Sequence, residues 1–146
     1  MAETYSDTVI TRAKIEEKLC SQLETSGKIT PNDVIALLQA KYKELYRFLE
    51  RMPGDESTKQ EMSFIQTALG IPKGLRPPTK EQMADYFTNT ALIREAVAQR
   101  AHDMIIINAD PNHPVDSAAV EKTLSAEKRV ANMYRTIAQQ ILGNKS

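Results

Sequence analysis

The chain has 146 residues, of which 41% are hydrophobic, 26% charged and 5% aromatic, with no tryptophan and a single cysteine; this is an ordinary globular composition at the usual length of one domain. Nineteen lysines and arginines balance nineteen aspartates and glutamates, so the chain as a whole lacks the basic character of domains that grip nucleic acid irrespective of its sequence. The first fourteen residues are polar, the densest apolar run (Met104 to Ile107) is far shorter than the ~20 residues that span a bilayer, and Cys20 has no second cysteine to pair with; together these predict a cytoplasmic protein without a signal peptide or a membrane span.

A first helix is predicted over Thr8–Thr25, capped by Ser6 or Asp7, with Ile15, Leu19 and Leu23 as its apolar stripe and Gly27 as its stop. The second has the clearest start: Thr30 as cap, Pro31 at the first helical position and Asp33 near the positive helix end. It runs to about Met52. Val34, Leu38, Leu45, Leu49 and Met52 share one face, which Ile35, Tyr42 and Tyr46 widen. A third helix, about Ser57–Leu69, carries Met62, Ile65 and Leu69 and is closed by Gly70.

Residues 70–79 hold three prolines and two glycines, which forbid a continued helix. Thr79 caps the next start, with Glu81 and Gln82 behind it. A short helix is expected to Phe87, an interruption or a second cap at Thr88-Asn89-Thr90, and then a long helix to about Asn108 with Ile93, Val97, Ala101, Met104 and Ile105 on one face; the β-branched run Ile105-Ile106-Ile107 reads as its buried end. After a loop at 109–116, the last helix runs from Asp116 or Ser117 to Leu142. Ala119, Ala126, Val130, Met133, Ile137 and Ile141 mark its inner side, and Ser125-Ala126-Glu127 is a possible kink. Strand signals are nearly absent. The expected fold is therefore all-α, an antiparallel bundle of five to six helices, with residues 1–146 forming one domain whose halves are separated by the loop at 70–79.

Motifs that carry chemistry are scarce. Cys20, His102 and His113 lie on three different elements, against the close ligand pairs of structural zinc sites. The loop Asp110–Asp116 concentrates two aspartates, an asparagine and a histidine, but a calcium loop of the EF-hand kind needs glycine where Val115 stands; turn formation explains the composition. Gly70 and Gly74 flank Lys73 without the pattern of a phosphate-binding loop. No metal, cofactor or small-molecule substrate is expected. An enzyme would have to assemble a site from Cys20, His102 and scattered carboxylates, and Cys20 reads as a buried small hydrophobe beside the Leu19–Leu23 stripe.

What remains are surfaces. The broad arc on the second helix, flanked by Tyr42 and Tyr46, suits either a central core helix or a partner surface. Lys73 and Arg76 stand on the proline-rich loop, where they serve solubility or contact a partner. Lys43, Arg47 and Arg51 repeat every fourth residue and point to one side. With Lys128, Arg129 and Arg135 of the last helix they would make a basic patch if folding brought them together. The leading expectation is a non-enzymatic protein–protein interaction or assembly subunit, an adaptor or a homo-oligomer. The alternative is a nucleic-acid-associated accessory subunit, of a phage, mobile element or defence system, that uses this basic face.

Overall fold

A computed structural model describes residues 3–143 of the chain. It is all-α: five helices and no strand among the described residues, namely α1 (Tyr5–Ser26), α2 (Pro31–Arg51), α3 (Glu56–Leu69), α4 (Lys80–Ile107) and α5 (Ser117–Ile141). The chain divides into two compact units, Met1–Met83 and Ala84–Ser146, with the boundary just inside the start of α4.

The helix starts follow from side-chain oxygens that take up otherwise unpaired backbone amides. Thr30 and Asp33 cap each other reciprocally at the start of α2, with Pro31 behind them, as expected. The same reciprocal box begins α1, but with Thr4 as cap and Asp7 three residues on. The predicted start at Ser6 or Asp7 was therefore late: Asp7 is the third residue of the box and not its cap. The Thr79 hydroxyl accepts from the Gln82 amide at 3.1 Å while the Gln82 side chain accepts from the Thr79 amide at 2.9 Å, which opens α4 where the spacing predicted. The Asp116 carboxylate accepts from the Ala119 amide and begins α5. Gly27 and Gly70 end α1 and α3 with φ of 72°, a left-handed conformation that side-chain-bearing residues rarely adopt.

Within the first unit α1, α2 and α3 are antiparallel neighbours. Tyr5 meets Phe48, Arg12 meets Glu44, and Gln22 reaches Asp33, so numbers rise on one helix as they fall on the other. α3 follows α2 after the short turn at 52–55 and is joined to it by Lys41–Glu61 and Tyr42–Gln66. The core here contains Leu19, Cys20, Leu37, Leu38, Ala40, Met62 and Ile65. The inner face of α2 thus centres on Leu37, which periodicity left out. Ile35, Tyr46 and Met52, assigned to the arc, are exposed.

In the second unit α4 and α5 form an antiparallel hairpin. Phe87 stacks on Tyr134 with ring centroids 6.0 Å apart and planes 18° from parallel. Arg94 pairs with Glu127 and His102 with Glu121 further along. Three expectations fail here. Thr88-Asn89-Thr90 does not interrupt α4, because the Thr90 hydroxyl donates to the Tyr86 carbonyl within an unbroken helix. Ser125-Ala126-Glu127 lies inside a continuous α5. The end of α4 expected to be buried, Ile105-Ile106-Ile107, is exposed, as are Ile93, Val97, Ala101 and Met104, because the helix packs through Ala84, Phe87 and Ala91 instead. On α5 the buried residues include Leu124, Ala131, Met133, Tyr134, Ile137 and Ala138, while Ala119 and Ala126 face out.

Candidate functional site

The second half of α4 presents an apolar row to solvent. Ile93 is 64% exposed, Val97 63%, Met104 51% and Ile107 75%. With Arg100 among them the spacing along the helix is four, three, four, three, the pattern that keeps side chains in line along one face. Leu92 and Ile106 are exposed too, on other sides of the helix. Single exposed apolar residues are ordinary, whereas several in line on one helix face are the pattern of an interaction surface.

The orientation of this row is set by what α4 does on its opposite side. Ala84, Phe87 and Ala91 are spaced to share a face, and alanine there leaves room for Phe87 and Tyr134 to stack. Polar pairs continue the contact where the apolar one ends: Arg94 with Glu127, Glu95 with Arg135, and His102 with Glu121 at 2.7 Å. The hydrogen bond from Arg135 holds the Glu95 carboxyl below its usual range. His102 lies between two carboxylates, Asp103 at 3.0 Å and Glu121 at 2.7 Å, and these hydrogen bonds raise its pKa above the ordinary histidine value. Its Nε2 joins α4 to α5 through Glu121, while its Nδ1 bonds Asp103 on its own helix. Among the described residues no three His, Cys, Asp or Glu side chains are grouped to hold a metal ion.

The surface residues singled out in the sequence are divided between the two units. Tyr42, Lys43, Tyr46 and Arg47, with Glu3, line an open depression of about 280 Å³ in the first unit. Tyr42 is half-buried and its hydroxyl accepts from Gln66 at 3.1 Å, while Tyr46 is exposed with the Arg47 guanidinium over its ring. Arg47 also pairs with Glu50 at 2.9 Å, and Arg51 lies over Tyr5, 5.3 Å from the ring centroid. Lys43 is exposed. Lys73 and Arg76 are exposed on the loop before α4. Lys128 is exposed, Arg129 half-buried, and Arg135 engaged by Glu95; these three belong to the second unit, whereas Lys43, Arg47 and Arg51 belong to the first.

One polar group was not singled out in the sequence. Glu16 is 2% exposed, and its Oε1 accepts from Arg12 Nη1 at 2.8 Å. The same guanidinium clamps both oxygens of Glu44 on α2, at 2.9 and 3.0 Å. Lys41 reaches Glu61 on α3 at 3.6 Å. Burial works against the charge on Arg12, but the hydrogen bonds and charges of Glu44 and Glu16 more than offset it and hold the guanidinium well above its usual range. Burial pushes the Lys41 ammonium down, with Glu61 and Glu16 opposing. The four-residue spacing of Arg12 and Glu16 was visible; that α2 would close over the pair was not. This group ties α1, α2 and α3 into one register.

Compared with known proteins, the chain matches no family model, no curated protein and no solved structure.

Proposed function

We propose that the chain is a non-enzymatic protein–protein interaction subunit that binds through the outer face of α4. The observation that carries this reading is the row Ile93, Val97, Met104 and Ile107, each more than half exposed on a helix whose other face is already packed. A helix that is apolar on both faces ordinarily has neighbours on both. Burying such a row would supply roughly 25 cal/mol for each Å² of apolar surface removed from water, less the cost of association. The same stripe is too short and too interrupted to cross a membrane: no helix among the described residues is long and apolar enough to do so. The nucleic-acid reading draws less support, since Arg47 and Arg135 already hold Glu50 and Glu95 and the Lys128 charge also acts on Glu95.

The test compares tagged wild type with the double variant Ile93→Ser, Val97→Ser in cells of the source organism. Both substitutions lie on the surface and should change unfolding free energy by less than about 0.5 kcal/mol each. A partner, or a second copy of the chain, should be recovered with wild type and lost with the folded variant. Equal recovery by both proteins would overturn the assignment of the binding face.

A further inference from the structure

The row on α4 is not uniformly apolar. Its central position is Arg100, with Ile93 and Val97 on one side and Met104 and Ile107 on the other. The row spans fifteen residues, about 21 Å from first to last at 1.5 Å per residue. Arg100 is exposed and makes no hydrogen bond or ion pair among the described residues. The acid nearest in sequence, Asp103, is already engaged by His102 and Gln99.

A single charged residue in an otherwise apolar helix seam costs stability unless it is paired, and for that reason it selects register and partner. The position of Arg100 decides between the two simplest occupants. If a second copy packed against this face in parallel, each residue of the row would meet its own counterpart, Arg100 included. If it packed antiparallel about the middle of the row, the central residue would again meet itself. Both symmetric arrangements set guanidinium against guanidinium in an apolar seam, with no acid of the row to separate them. A different chain escapes this conflict by placing a carboxylate there.

We propose, building on the interaction reading above, that the outer face of α4 receives an amphipathic helix of another protein, with apolar residues at three- and four-residue spacing and an aspartate or glutamate facing Arg100. The helix covers Ile93 to Ile107 and so is at least four turns long. The apolar contacts supply affinity, and the charge pair selects the partner and fixes its register.

Two synthetic helical peptides of 21 residues test this. They carry leucine at the seam positions and differ only at the central one, glutamate in one and lysine in the other. Their binding to the full chain is followed by fluorescence anisotropy. Wild type should bind the glutamate peptide about tenfold more tightly than the lysine peptide, the scale of one close interfacial charge pair. Arg100→Glu should reverse the preference, and Val97→Asp should abolish binding of both. Circular dichroism melts of the variants show whether they fold, and surface positions give no reason for failure. Equal binding of the two peptides would overturn the acidic partner while leaving the interaction face intact. Binding of neither would overturn both readings. A wild-type dimer in sedimentation velocity that dissociates in Val97→Asp would show that a second copy, and not another protein, occupies the face.

Discussion

The unit of α1, α2 and α3 and the hairpin of α4 and α5 place charge and oil in opposite ways. The first tucks Glu16, Arg12, Glu44 and Lys41 among its helices, where each ionised group is matched by another. The second keeps its ion pairs partly exposed along the α4–α5 seam and leaves Ile93, Val97, Met104 and Ile107 in water. A buried ionic group is weak evidence for added stability, because desolvation consumes much of the attraction; it is better understood as fixing which helix faces which. An exposed apolar row adds nothing to the stability of the isolated chain and gains its value only when something covers it. The comparison therefore separates a unit whose charges fix its own register from one that leaves an apolar row uncovered, the face on which we propose a partner binds.

The sharpest way to probe this contrast lies inside the hairpin. Phe87→Ala removes a fully buried ring stacked on Tyr134 and should cost about 4 kcal/mol in urea unfolding. A loss under 1 kcal/mol would mean that the α4–α5 contact does not depend on this stack. Next in size, Arg12→Met removes the guanidinium that holds Glu16 and Glu44 and should cost about 3 kcal/mol. Replacing Arg12 with Met together with Glu16 and Glu44 by Leu should recover most of that loss, since no buried charge is then left unmatched. Failure of the triple variant to recover would show that the group contributes directly to stability and not only to register.

The smallest effect is one of pH. The His102 pKa is raised in the folded chain by the hydrogen bonds to Asp103 and Glu121. The corresponding stabilisation is complete below the unfolded histidine value of about 6.5 and is lost as pH rises through the higher folded value. Wild type should therefore exceed His102→Gln in urea midpoint at about pH 5.5, with the gap narrowing by about pH 8.5. A gap independent of pH would show that His102 contributes by packing alone. The aspartates of the capping boxes behave in the opposite sense. Thr30 and Gln22 hold Asp33 below its ordinary range, so its contribution is present above about pH 4 and fades as pH falls through the folded value.

Much of the local structure was legible before any coordinates. Thr30-Pro31 with Asp33, Thr79 with Gln82, and Asp116 each begin a helix because short side-chain oxygens satisfy amides a few residues away, a contact contained within four or five residues of sequence. Gly27, Gly70 and the prolines of residues 70–79 end helices for equally local reasons. The all-α class followed from the same signals. Periodicity also picked out the correct residues on α4, Ile93, Val97 and Met104, as members of one face.

What periodicity could not supply was the direction of that face. A stripe of large aliphatic residues and a stripe of alanines with one phenylalanine are both apolar, and the rule that the larger goes inside fails when the neighbouring helix brings a tyrosine of its own. Tyr134 takes the space, so α4 turns Ala84, Phe87 and Ala91 inward and its isoleucines outward. Arg12, Glu16 and Glu44 pose the same problem in charge: thirty-two residues separate Arg12 from Glu44, and only the closure of α2 over α1 makes them a group. By itself the sequence determined where helices begin, where they end and which residues share a face, because those depend on bonds made nearby along the chain. The tertiary structure alone decided which face is covered and which charges meet, because those depend on the volume and charge that another helix brings.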